Sequence, residues 1–209
     1  MAAYLIGAGG FAREIYSYLD SIGFDKLGHD FGGFLSDFSN DLDNFNYKSG
    51  VVGPIKNSCI TKNDVLIMAI ADPQFKQQLY EYYNHRNVTF MTFIHPTAVI
   101  GKNVKIGIGS VICPNVTITT DVAIGKLSTL NAHSSIGHDV LLHDYCTLSG
   151  HCDVTGFVEL GSRVFMGSHA LVIPKVKVGD DVVIGAGSVV VSKVKSGSTV
   201  FGNPAKKIK

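Results

Sequence analysis

Between Ile94 and Val194 the hydrophobic positions recur every six residues. Counting Ile100, the series runs Ile106, Ile112, Ile118, Ile124, Leu130, Ile136, Leu142, Leu148, Val154, Leu160, Met166, Val172, Val178, Ile184 and Val190. That makes sixteen apolar positions without a break. Two residues before many of them stands a small or β-branched residue, as at Ala98, Val104, Ser110, Val116, Cys146 and Cys152. Glycine often follows directly, as at Gly101, Gly107, Gly125, Gly137, Gly161, Gly167, Gly179 and Gly185. Residues two apart share one face of a strand, so Val104 and Ile106 point the same way. A six-residue rung cannot bury an apolar face alone, so the rungs must stack. Three rungs with Gly, Asn or Ser corners close an eighteen-residue coil, and sixteen rungs give about five coils. At a strand spacing of ~4.8 Å this is a prism roughly 25 Å tall. The tail from Phe201 to Lys207 breaks the period and is expected to cap the last coil.

Upstream the pattern is different. Ala3–Ile6 reads as a buried strand, Gly7–Gly10 as a tight turn, and Phe11 onward as a helix to about Ser21. Glycines there leave amides pointing outward at a helix N-terminus, which suits a phosphate. Gly32–Asp37 reads as a second strand ending in an acid that could meet a ribose or base. Asp37–Asn46 lacks periodicity and reads as a loop, and Val51–Gly53 as a small edge element. Asp64–Ala71 is apolar on both alternating faces, as a buried parallel strand is. Asp72-Pro73 opens a helix carrying Phe75, Leu79, Tyr82 and Tyr83. Val88–Phe93 supplies a further strand. This βαβ alternation predicts a doubly wound α/β domain over residues 1–92, followed by the repeat domain over 93–209. His95-Pro96 marks the junction, since the residue before Pro favours extended geometry.

Composition narrows the function classes. The formal charge of +1 over 209 residues argues against electrostatic capture of nucleic acid or of an anionic membrane. No stretch is apolar and uncharged for the ~18 residues a membrane helix needs. Met1–Gly10 lacks the basic flank and cleavage site of a signal peptide. The four cysteines form no CxxC pair, and Cys146 and Cys152 fall on inward positions of the repeat. A reduced, cytoplasmic setting is expected.

Histidine is where the repeat carries chemistry. His133, His151 and His169 are spaced by eighteen, so they stack on one face of three consecutive coils, as a structural column, a cleft lining or a zinc site. His138 stands at a corner with Asp139 beside it and Gly156 one coil onward. Acyl transfer to an amine needs a base for the amine proton and a donor for the developing oxyanion. An imidazole beside a carboxylate fits the first role, and a glycine amide one strand spacing away fits the second. His29, His85 and His95 read as structural or solvated.

The [LIV]-G-x4 rungs and the terminal Gly202-Asn203-Pro204-Ala205-Lys206 resemble the hexapeptide-repeat acyltransferases. The resemblance implies a left-handed parallel β-helix, a hand that the period alone does not settle. A closer likeness spans the chain through Ile6–Glu14, Phe34–Asp37, Ile94–Ala98 and Ile136–Asp139. It is to the sialic-acid O-acetyltransferase-like and nucleotide-sugar N-acetyltransferase subgroup. That likeness implies a small Rossmann-like domain holding a nucleotide-linked amino sugar, and a β-helix that forms a homotrimer with acetyl-CoA between subunits. By position it implies His138 as catalytic base with Asp139 as its partner. Gly156, Ser168 and Ala186 would contact acetyl-CoA through backbone, and Asn131 would lie near the acceptor sugar. Gly9, Gly10, Phe11, Ser36, Asp37 and Ala71 would form the nucleotide-sugar pocket. Many relatives carry a second histidine nine residues after the base, near acyl donor or sugar. That position, assigned here to the acyl-donor site, is Thr147, with His143 or His151 as candidates to fill the gap.

The expected function is N-acetylation of a nucleotide-linked 4-amino-4,6-dideoxy sugar for surface glycan synthesis, of the lipopolysaccharide or O-antigen kind, using acetyl-CoA and no metal. The nucleotide is open among UDP, dTDP and GDP. Sugar O-acetylation of the sialic-acid type is the nearest alternative. A zinc hydratase like the γ-class carbonic anhydrases is another. Those proteins place a third ligand five residues after the second, where this chain has Pro174 after His169.

Overall fold

The computed structural model describes the backbone of residues 1–209 and every side chain except that of Leu27. The chain divides into two compact units, Met1–Ala71 with Phe75–Met91, and Asp72–Gln74 with Thr92–Lys209.

The first unit is a small α/β domain. Its elements are β1 (Ala2–Ile6), α1 (Gly10–Ile22), β2 (Asp30–Leu35), β3 (Val51–Gly53), β4 (Val65–Met68), α2 (Pro73–Asn84) and β5 (Thr89–Phe90). The sheet is parallel in the order β3-β2-β1-β4-β5. Leu5, Ile6, Leu66 and Ile67 on the central strands are fully buried, which explains their unbroken apolar runs. Gly7 leaves β1 with φ 107°, and a Cβ there would press on the Ala69 carbonyl at 3.0 Å. Glycine is the residue that permits this turn. One expectation is corrected. Val88–Phe93 is not a single strand, because Thr89–Phe90 closes this sheet whereas Phe93–Ile94 pairs with Val111–Ile112 in the solenoid.

The second unit is a left-handed parallel β-helix with three faces. The first face holds Val99–Ile100, Thr117–Ile118, Ser135–Ile136, Asp153–Val154, Leu171–Val172 and Val189–Val190. The second holds Lys105–Ile106, Ala123–Ile124, Leu141–Leu142, Glu159–Leu160 and Lys177–Val178. The third begins at Phe93–Ile94, passes through Val111–Ile112, Thr129–Leu130, Thr147–Leu148, Phe165–Met166 and Val183–Ile184, and ends at Thr199–Phe201 with antiparallel Lys206–Lys207. The first corner lies between the first and second faces, the second between the second and third, and the third between the third and first.

Each rung strand is only two residues long, shorter than the alternation suggested. The small residue two places earlier therefore sits in the corner, yet it still faces inward, and Val116, Val140, Cys146 and Cys152 are at most 1 % exposed. Inward polar groups there are tied to the coil wall. The Ser110 hydroxyl donates to the Gly125 carbonyl at 3.1 Å and that of Ser134 to Ser149 at 3.0 Å. Burial pushes the Cys152 thiol up to about 11, so it stays protonated. Every corner from Asn103 to Gly187 turns through one residue of positive φ, six residues apart. The shortened final turn from Val190 to Val194, which bridges back to Val178, ends the regular repeat. The tail then closes the end, with Ala205 packed on the core and its N–H donating to the Val189 carbonyl.

Candidate active site

The first corner builds a histidine-carboxylate pair from adjacent residues. After Ser135–Ile136 the chain must pass close beneath the next coil, and a Cβ on Gly137 would lie 2.8 Å from the Gly156 nitrogen. His138 follows, and Asp139 takes φ 58°. That left-handed residue turns its side chain back toward the imidazole, so His138 Nδ1 and Asp139 Oδ2 lie 2.8 Å apart. Both side chains are about half exposed, at 54 % and 44 %. With Nδ1–H donated to the carboxylate, the neutral imidazole keeps Nε2 as its acceptor, a tautomer inferred from the hydrogen bond.

Nε2 occupies the space that a side chain at 156 would need, since a Cβ on Gly156 would lie 2.7 Å from it. Any larger residue would evict the ring. The same glycine offers a free donor. At equivalent corner positions the Lys126 N–H donates to the Asp144 carboxylate one coil on at 3.0 Å, and that of Ser162 to Asp180 at 2.7 Å. One coil on from Gly156 is Pro174, which carries no side-chain acceptor. Among the described residues the Gly156 N–H therefore has no such partner, which leaves it open to an anionic oxygen.

The remaining expected residues fall elsewhere on the prism. Ser168, Ala186 and Asn131 lie along the third corner, and the Asn131 Oδ1 accepts its neighbour's N–H at 2.7 Å. Thr147 is on the third face and 3 % exposed. Within one chain, then, Gly156 stands at a different corner from Ser168 and Ala186. Neither candidate for the missing second histidine joins His138. His143 belongs to the second corner, 3.6 Å from Glu159, whose other oxygen meets Lys177 at 2.6 Å. The Lys177 hydrogen bond holds the Glu159 carboxyl below its ordinary range.

His151 stacks between His133 and His169, with ring centroids 4.8 and 4.7 Å apart and planes within 8° and 5°. Parallel rings do not aim their lone pairs at one point. Two nitrogens at a zinc distance of 2.0–2.1 Å can be no more than ~4.2 Å apart. The column is thus a stack, and among the described residues no three His, Cys, Asp or Glu groups converge as a metal site requires.

In the α/β unit the six expected pocket residues meet at one edge. Gly9, Gly10 and Phe11 follow β1, Ser36 and Asp37 follow β2, and Ala71 follows β4. All lie past carboxyl ends of strands, and chain order reverses between β1 and β4, the usual place of a ligand crevice in such sheets, with β2 next to β1. Gly9 caps α1 without a side chain of its own, and Gly9 and Gly10 are exposed. Two groups are partly committed to the fold. The Ser36 hydroxyl donates to Asp41 and accepts the Phe38 N–H, and Asp37 Oδ1 accepts the Ile55 N–H at 2.9 Å. Arg13 was missed by sequence reasoning. Its guanidinium lies 3.7 Å over the Phe45 ring, and its Nη2 would be 3.9 Å from a Cβ on Gly10. Its Nε is buried without a partner among the described residues. Periodicity placed Arg13 only as a helix residue, and nothing in the sequence ties it to Phe45 across the chain.

Comparison with known proteins agrees with both units. Residues 3–83 match the family described as the PglD N-terminal domain. PerB from Caulobacter crescentus, solved in complex with CoA and GDP-perosamine, is 28 % identical with a TM-score of 0.86, covering 100 % of this chain and 98 % of that one. The acetyltransferase domain of PglB from Neisseria gonorrhoeae is 25 % identical, TM-score 0.86, covering 99 % of each chain. WeeI from Acinetobacter baumannii is 25 % identical, TM-score 0.86, covering 100 % of each. A search of curated protein sequences returned no match. The PglB neighbour is described as an acetyltransferase domain, and this chain shares the fold of all three from end to end.

Proposed function

We propose that this chain is an acetyl-CoA-dependent N-acetyltransferase acting on the amine of a nucleotide-linked amino sugar, with a 4-amino-4,6-dideoxyhexose as the acceptor class. The observation that carries the reading is the His138–Asp139 pair set beside an uncommitted Gly156 N–H. The structure of PerB, a protein of this fold in complex with CoA and GDP-perosamine, supports the choice of both substrates.

The chemistry follows from these groups. The neutral sugar amine attacks the thioester carbonyl, and a C–N bond forms as the carbonyl electrons move to oxygen. The Gly156 N–H donates to that oxyanion. His138 Nε2 takes the proton from nitrogen, while Asp139, 2.8 Å from Nδ1, supplies the counter-charge to the imidazolium. Collapse breaks the C–S bond, and the thiolate of CoA recovers the proton from His138. The products are the N-acetyl sugar and free CoA, with no covalent intermediate on the protein.

In the α/β domain, proposed to span residues 1–92, the exposed amides of Gly9 and Gly10 and the guanidinium of Arg13 are proposed to meet the diphosphate. Asp37 is proposed to meet the nucleoside. Residues 93–209 are proposed to carry out transfer as a homotrimer. In that arrangement a neighbouring copy brings its third-corner residues, Ser168 and Ala186, to the first corner of this one. A role in cytoplasmic surface-glycan synthesis is part of the same reading.

The test is CoA release from acetyl-CoA against a panel of GDP-, UDP- and dTDP-linked 3- and 4-amino sugars. Turnover with one of them, lost by ~10²-fold or more in His138→Ala, is expected. Activity on sugar hydroxyls alone, or near-normal turnover of His138→Ala, would overturn the reading.

A further inference from the structure

Three corner residues of the solenoid combine positive φ with a large apolar side chain: Leu127 at 52°, Tyr145 at 64° and Phe157 at 61°. The left-handed conformation is unfavourable for residues of this size. Leu127 and Tyr145 recover the cost by burial, being 1 % and 6 % exposed. Phe157 does not, with 52 % of its surface in solvent. Short polar residues hold other corners, such as Asn103, Asn115 and Asp181. Packing within the chain thus does not account for an aromatic ring at 157.

What the ring does touch is His138. The two centroids are 5.1 Å apart with planes at 90°, an edge-to-face contact. The backbone sets it up, since the Phe157 N–H donates to the His138 carbonyl at 3.0 Å. Phe157 therefore sits one coil on from Asp139, against the imidazole that Asp139 hydrogen-bonds. A half-exposed histidine fixed by a single hydrogen bond can still swing about it. The ring of Phe157, packed edge-to-face on the imidazole, restricts that swing.

Resting on the reading of His138 as base, we propose that Phe157 is a positioning residue for acetyl transfer. Its ring keeps Nε2 over Gly156, at the place where the amine proton must be taken. Reacting groups held in register gain rate because the loss of freedom precedes the reaction.

The decisive variant is Phe157→Gly, because glycine adopts positive φ readily and the change relieves backbone strain rather than adding it. The expected result is a thermal midpoint equal to or above that of the parent and a kcat lowered by about tenfold. The KM for acetyl-CoA should stay within about twofold, since the ring orients the base and need not bind the donor. Phe157→Tyr keeps the ring and should keep most of the rate. A Phe157→Gly protein with the parent's kcat would overturn the proposal. So would a fall in rate shared equally by Phe157→Tyr, or one that tracks a change of oligomeric mass on size exclusion with light scattering. His138→Ala, assayed alongside, separates the two readings. An active His138→Ala sinks the base itself, whereas an inactive one beside a normal Phe157→Gly sinks only the role of Phe157.

Discussion

His138 Nδ1 and Asp139 Oδ2 are 2.8 Å apart although the residues are neighbours in sequence. In a strand, neighbouring side chains point to opposite faces. The pair meets because Asp139 occupies the left-handed corner, with φ 58°. The solenoid's own way of turning thus makes the dyad, without any contact from a distant segment. Asp139→Asn keeps the shape and removes the counter-charge. A hydrogen bond to a charged group contributes about 1.5–3 kcal/mol, so kcat should fall roughly ten- to a hundredfold with little change in KM. Steady-state CoA release checks this.

Pro174 gives a second prediction. Pro174→Asp should reproduce at Gly156 the arrangement seen at Lys126 with Asp144 and Ser162 with Asp180, where a carboxylate one coil on accepts the corner N–H. The corner should fold as it does there, so the thermal midpoint should hold. The oxyanion donor would be occupied, and losing one such donor costs about 10²–10³ in kcat. Parent-like turnover in a folded Pro174→Asp protein would remove Gly156 from the mechanism.

Arg13 lies over Phe45 beside the glycine turn, with its Nε unpaired among the described residues. Arg13→Ala should raise the KM for the nucleotide sugar by roughly tenfold, from one lost charge-assisted contact to phosphate. The KM for acetyl-CoA should not move, since the donor is assigned to the other unit. Calorimetric titration with the free nucleoside diphosphate offers an independent reading.

Leu148 is fully buried in the middle of the prism. Leu148→Ala should cost about 2–5 kcal/mol, because stacked coils leave little room to collapse into the void. Chemical denaturation followed by circular dichroism measures it.

The α/β unit should show a specific acid response. Burial pushes the Asp64 carboxyl up, but the Thr61 and Ala2 donors outweigh it and hold the group below its ordinary value of 3.8. A carboxyl depressed in the folded state contributes stability above its unfolded pKa and loses it as pH falls through the folded one. Asp64→Asn should therefore be less stable than the parent at neutral pH. The gap should narrow as pH drops below about 4. Urea unfolding at a series of pH values tests the sign.

The spacing of six from Ile100 to Val190 was enough to define the rungs, the eighteen-residue coil and the stacking of His138 beneath Gly156. With three rungs to a coil, each residue's neighbour above is found by adding eighteen, although the hand of the coil does not follow from the period. The strand-turn-helix signals around Gly7–Gly10 likewise sufficed for a parallel α/β unit. Tertiary structure alone decided what depends on side-chain direction and on sequence-distant contacts. It split Val88–Phe93 between two sheets and separated Gly156 from Ser168 and Ala186 by a face of the prism. It turned the column of His133, His151 and His169 into a parallel stack, and it brought Arg13 onto Phe45. Periodicity specifies which residues are adjacent along the axis. It does not specify which way a corner residue with positive φ throws its side chain, and at Asp139 and Phe157 that direction surrounds the imidazole of His138.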